Sequence, residues 1–102
     1  MKTNSITELV RFEALPATTE EQILGAADMI NGFLCNQDGF VDAEIVRAQT
    51  GSQWYFIYHI ENCEKLRIVG EKLRSSRLFD KITPLIVPGS MSVTFFDCLK
   101  RW

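Results

Sequence analysis

The chain has 102 residues, 46% hydrophobic and 24% charged, which suits one globular domain with a single core and excludes a disordered, collagen-like or low-complexity polymer. Its formal charge of −2 argues against a general nucleic-acid binder, which needs a basic surface to neutralise phosphates. No apolar run approaches the roughly 20 residues that span a bilayer, so no membrane partner is expected.

Met1–Ser5 leads straight into a strand-like segment, and no secretory leader is expected. The three cysteines, Cys35, Cys63 and Cys98, are odd in number and lack metal-ligand spacing. They read as reduced thiols in a cytoplasmic protein, with Cys35 and Cys98 as packing residues.

From Ile6 to Leu15 the chain alternates as a first strand: Ile6, Val10 and Phe12 share one face, with Glu8 near the edge, and Thr7, Leu9, Arg11 and Glu13 take the other. Pro16 ends it. Thr18–Glu21 and Thr19–Gln22 are two overlapping capping boxes, and Ile23, Ala26, Ala27, Ile30, Phe33 and Leu34 then recur at helical spacing. Asn36–Gln37–Asp38–Gly39 is a strong stop.

Phe40 to Gln49 predicts a second strand, and Thr50–Gly51–Ser52 a hairpin into a third, Gln53 to Ile60. Parity sets Trp54, Phe56, Tyr58 and Ile60 on one side of that strand and Tyr55, Ile57 and His59 on the other. Both sides are too apolar to face only water. Helices should cover the first side, with its aromatics as core, while a second sheet, a ligand or a partner subunit covers the second.

Asn62 can cap a second helix with a stripe through Leu66, Val69 and Leu73, interrupted at Ser75–Ser76. Its Lys and Arg residues outnumber its acids, which reads as a solvated face; docking of an acidic partner is the sharper alternative. Leu78, Phe79, Ile82, Leu85 and Ile86 form a further apolar patch, consistent with a short helix, before Pro88–Gly89. Met91 to Leu99 predicts the last strand, followed by a tail whose Trp102 should find cover.

The order β-α-β-β-α-β predicts one α+β domain over residues 1–102, a ferredoxin-like sandwich with two helices on one face of a four-stranded antiparallel sheet. Its other face would be a large apolar patch, and a homodimer formed through that face is the simplest cover.

In element lengths and apolar positions the chain resembles the dimeric α/β-barrel family named for antibiotic biosynthesis monooxygenases. The resemblance rests on the strand ending near Pro16, the helix ending at Gly39–Phe40, the aromatic third strand running into Asn62–Cys63–Glu64–Lys65–Leu66, and Leu78–Phe79 before the last strand. It implies two sheets facing each other as a barrel, a small-molecule cavity, and for some members oxygenation of phenols without a cofactor. Val69 stands where many members carry a helix histidine, His59 where a third-strand carboxylate is common, and Val10 or Arg11 where the haem-degrading branch has an asparagine. Haem chemistry is therefore not expected, and no cofactor or metal site is assigned.

His59 is the only histidine and could move protons near neutral pH. With Arg11 to stabilise an anion and Tyr55 as a hydrogen-bonding partner, it forms the candidate catalytic group of a monooxygenase acting on a small aromatic or apolar ligand. The plainer reading satisfies His59 and Arg11 with acidic neighbours at a dimer interface. Cys63, at a helix N-terminus, is a candidate reactive thiol. A non-catalytic ligand-binding or structural dimer is the alternative function. An RNA-binding module of the same topology, stacking bases on Phe56–Ile57–Tyr58, fits less well because Gln53 and Trp54 replace the residues it needs.

Overall fold

The computed structural model of the chain describes residues 5–102, so the leader-free reading of Met1–Asn4 lies outside the described residues. The elements are β1 (Ile6–Glu13), α1 (Glu20–Leu34), β2 (Phe40–Arg47), β3 (Gln53–Ile60), α2 (Cys63–Ser76) and β4 (Ser92–Asp97), with two 3-10 turns, Leu78–Lys81 and Thr83–Leu85, before β4. The sheet is antiparallel in the order β2-β3-β1-β4, the ferredoxin-like arrangement.

Local chemistry explains where the helices start. At α1 the Thr19 hydroxyl accepts from the Gln22 N–H at 3.1 Å, while the Gln22 side-chain oxygen accepts from the Thr19 N–H at 2.8 Å. This box wins over its Thr18 rival because Thr18 is engaged elsewhere, donating to the Leu85 carbonyl at 2.8 Å. Asn62 caps α2 by accepting from the Lys65 N–H at 2.9 Å. The helix stops at Ser75–Ser76, as the sequence implies, and is followed by Arg77 in the left-handed region (φ 61°). The Ser76 hydroxyl ties off this end by donating to the Leu73 carbonyl and accepting from the Leu78 N–H.

One face of the sheet carries Ile6, Val10, Phe12, Trp54, Phe56, Tyr58 and Ile60, all buried beneath the helices with Ile23, Ile30, Leu34, Val69 and Leu73. Phe12 and Trp54 stack with centroids 6.5 Å apart and planes 2° from parallel. Ile82 between the two 3-10 turns and Ile86 after them join this core, so the apolar patch following α2 closes its end.

The opposite face has no cover among the described residues. Across it the register builds three rows: Val46–Tyr55–Arg11–Ser92, Glu44–Ile57–Leu9–Thr94 and Asp42–His59–Thr7–Phe96. Leu9, Tyr55 and Ile57 are half-buried by their neighbours, whereas Phe96 is exposed. The sheet of one chain is open and does not close into a barrel. Strand β4 is shorter than the sequence implies, and Trp102 is fully exposed, with Lys100 Nζ 5.1 Å from its ring centroid. Cys35 is exposed rather than packed, and all three thiols are free.

Candidate functional site

The helix-covered side of the sheet contains a cleft of about 570 Å³ between α2 and the β1–β4 edge. Its floor follows one register row, Tyr58–Glu8–Phe95, with Val93 beside it. Its roof is one face of α2: Cys63, Leu66, Arg67, Gly70, Leu73 and Arg74 recur at i, i+3, i+4, i+7, i+10 and i+11. Phe79 and Met91 close one end.

The cleft exists because Gly70 contributes no side chain to the roof midway along α2, and β4 is an edge strand of the sheet. Phe95 accordingly remains 58% exposed. The volume falls within the range of small-molecule sites, about 300–1,000 Å³, and the walls are mostly apolar with few polar groups.

Those polar groups are unusual. Glu8 is only 8% exposed on an otherwise apolar strand face, and Tyr58, its cross-strand partner, is 1% exposed. Burial raises the Glu8 carboxyl above its ordinary 4.5, and the hydrogen bond from Tyr58 offsets part of that rise. Burial first, then the charge and hydrogen bond of Glu8, push the Tyr58 phenol far up, so Tyr58 keeps its proton and donates. The pair therefore combines an acid that holds a proton more readily than a solvated carboxylate with a protonated phenol on the neighbouring strand, the kind of perturbed group that active sites use.

Sequence reasoning set Glu8 on the correct face but near an edge. In fact β1 is an interior strand, because β4 returns along its far side and β3 flanks it on the other. The available signal was one acid among Ile6, Val10 and Phe12. Arg74 was legible only as one more basic residue on a solvated helix.

Of the residues singled out from sequence, Cys63 is an exposed thiol in the roof of this cleft, whereas Arg11, Tyr55 and His59 lie on the open face. Arg11 stands directly across from Tyr55, whose hydroxyl donates to Gln53 at 2.9 Å. His59 is four residues further along β3, opposite Thr7, and its Nδ1 pairs with Asp42 Oδ1 at 2.5 Å. Neither Arg11 nor Glu13 therefore neighbours His59 within one chain: the antiparallel register sends them to the other end of the pair. A polar recess of about 350 Å³ adjoins His59, lined by Asp42, Ala43, Glu44 and Arg101. Phe56 and Tyr58 face the helices and are buried, so no base can stack on them as the RNA-module alternative requires. Among the described residues no cluster of three or more His, Cys, Asp or Glu could hold a metal ion, and no helix is long and apolar enough to cross a membrane.

No family model matches the chain, and no curated protein matches it. Solved structures do. SnoaB, a cofactor-independent oxygenase from Streptomyces nogalater, aligns over 96% of both chains with a TM-score of 0.80 at 13% identity. A monooxygenase from the gene ActVA-Orf6 of Streptomyces coelicolor, crystallised with nanaomycin D, aligns over 97% of this chain and 91% of its own, with a TM-score of 0.79 at 19% identity. A dimeric ferredoxin-like protein of unknown function from Thermobifida fusca covers 96% and 94%, with a TM-score of 0.74 at 9% identity. At these identities the likeness speaks for the fold, and over nearly its whole length this chain has the ferredoxin-like fold of the antibiotic biosynthesis monooxygenase-like proteins.

Proposed function

We propose that the chain is a cytoplasmic, homodimeric monooxygenase-like protein that binds a small aromatic or largely apolar molecule in the cleft between α2 and the sheet. The observation that carries this reading is the buried Glu8–Tyr58 pair at the floor of an apolar cleft of ligand size. A buried carboxyl costs stability, and a position opposite Phe95 and beneath Leu66 could hold an apolar side chain at no such cost.

The fold neighbours supply the reaction type: one is a cofactor-independent oxygenase and another a monooxygenase. In such a reaction a hydroxy-aromatic gives up its hydroxyl proton, and the electron-rich anion then reduces molecular oxygen directly. One oxygen atom becomes a new ring carbonyl, and the other leaves as water with the hydroxyl hydrogen and the hydrogen of the oxidised ring carbon. The cleft's part is to exclude water, orient the ring and hold the proton.

The open face supports the dimer. Val46, Tyr55, Ile57, Leu9 and Phe96 run diagonally across it, with Asp42 and Glu44 at one corner and Arg11 away from them. A two-fold operation can bring Arg11 of one copy towards the acidic corner of the other while both apolar bands are buried. In this reading the proton-accepting role considered for His59 passes to Glu8. His59, Arg11 and Tyr55 serve the interface.

Titration with 2-naphthol, followed by calorimetry and then by oxygen uptake, tests the function. Saturable binding with oxygen consumption is expected, binding without consumption would favour the non-catalytic ligand-binding alternative, and no binding up to millimolar concentration would overturn the site. Sedimentation equilibrium at micromolar concentration tests the dimer, which a strict monomer would remove.

A further inference from the structure

The basic residues of α2 are not all engaged in the same way. Lys65 pairs with Glu61 and Asp38, and Arg67 with Glu64 and Glu71, while Lys72 does not line the cleft. Arg74 lines the cleft and has no ion-pair partner among the described residues. Glu8 lines the same cleft from the sheet, and the two opposite charges do not pair with each other. The space between them is bounded by Leu66, Leu73, Val93, Phe95, Phe79 and Met91. An occupant that satisfies every wall is flat and apolar in the middle, offers a proton donor to the floor and presents an anion to the α2 side.

We propose that the ligand is a hydroxylated aromatic carboxylate, its carboxylate held by Arg74 and its hydroxyl directed at Glu8, which accepts the hydroxyl proton. The assignment rests on the cleft being the ligand site and adds the ligand's chemical class and the role of each charged residue. In the step itself the ligand O–H bond breaks and a Glu8 O–H bond forms. The electron pair stays on the ligand oxygen as a phenolate. Tyr58, the cross-strand neighbour of Glu8, is held protonated and does not compete for the transferred proton. Arg74 offers a planar donor fork that matches a carboxylate bidentately.

Three naphthalenes separate the parts of the proposal: 6-hydroxy-2-naphthoate, with both groups at opposite ends, 2-naphthol and 2-naphthoate. Calorimetry should rank the first tightest. Arg74→Gln should weaken both carboxylates about five- to tenfold, while 2-naphthol changes by less than about threefold, the effect being moderated because Arg74 is solvent-accessible.

Proton acceptance has its own readout. A naphthol becomes a much stronger acid on excitation, so a bound hydroxynaphthoate emits as naphtholate when a base within hydrogen-bonding reach takes its proton. That emission should be strong in the parent and fall below that of the free ligand in Glu8→Gln, because an amide cannot accept the proton and the cleft keeps out the water that accepts it in solution. Both substitutions should leave the fold intact, since Arg74 is exposed and Gln matches Glu in shape; circular dichroism checks this. If the naphthalenes bind but Arg74→Gln weakens all three equally, or naphtholate emission survives Glu8→Gln, this assignment fails and the ligand site stands. If none binds, both fall.

Discussion

Gly70 is where the cleft can be closed without replacing any charged group. It lies midway along α2, half-buried, and a Cβ built there would meet only Arg74 Nη1 at 3.8 Å, an ordinary van der Waals distance. Gly70→Ala should therefore gain the difference in helix propensity, about 0.8–1 kcal/mol. For a domain of this size that corresponds to a rise in Tm of about 4–8 °C, measurable by thermal denaturation followed by circular dichroism. A methyl group leaves most of the 570 Å³ empty, so 2-naphthol affinity should change by less than about threefold.

Gly70→Phe is the occluding variant. A long side chain on a helix leans over the turn before its own Cα, which here means towards Leu66 and Arg67, above the Glu8–Tyr58 floor. The ring fills space that a ligand would need and buries its own apolar surface, so Tm should hold or rise while affinity drops more than about tenfold. Loss of binding without loss of stability cannot be unfolding. Unchanged affinity in Gly70→Phe would refute the placement of the ligand in this cleft, and a lower Tm in Gly70→Ala would show that the helix wall is not open as described.

Glu8→Gln tests the buried carboxyl through stability alone. With its folded value raised above 4.5 and its unfolded value ordinary, the folded chain holds more protons between the two, so parent stability falls as pH rises through that window. The Gln variant should gain on the parent as pH is raised from about 4 to about 8, and parallel pH profiles would show that the carboxyl is not desolvated. Gly39→Ala should cost about 2 kcal/mol or more, because the residue has φ +93° and its Cβ would lie 2.8 Å from Lys65 Cβ, where the neighbour cannot swing away; a lower urea midpoint at constant slope is expected. Thr19→Ala removes the working capping box and should cost about 1 kcal/mol by the same assay, whereas Thr18→Ala should leave the α1 N-terminus capped.

What sequence could reveal here was local. The Thr19–Gln22 box, the Asn62 cap and the two-residue alternation of β1 and β3 depend on neighbours a few positions apart, and each element formed where those signals lie. Trp54, Phe56 and Tyr58 were expected under the helices and are there. Facts about distant partners were harder to read. That β1 is interior depends on β4 returning beside it, and without this Glu8 looks like an edge residue. The end of α2, by contrast, was legible in Ser75–Ser76, the last two residues of the helix, where the Ser76 hydroxyl ties off the final turn. His59 drew attention as a rare residue type, but its partner is set by the register and not by rarity. The register takes Arg11 to Tyr55 and leaves His59 to Asp42.

The same strand face serves as core and as site, and the division falls along register rows. The rows through Phe12–Trp54 and Val10–Phe56 place only apolar side chains on β1 and β3, and stability is served there. The next row replaces one of them with Glu8, whose burial opposes folding, beneath a roof that lacks a side chain at Gly70 and beside an edge strand that leaves Phe95 uncovered. Each of these three features weakens the core, and all three adjoin one cleft. Natural sequences break local rules mainly where function compensates, and three independent departures from good packing around the same volume are hard to account for as defects of a core. They are what a site for a flat ligand requires: an acid to receive a proton, space to admit the ring and an apolar wall left for the ring to cover.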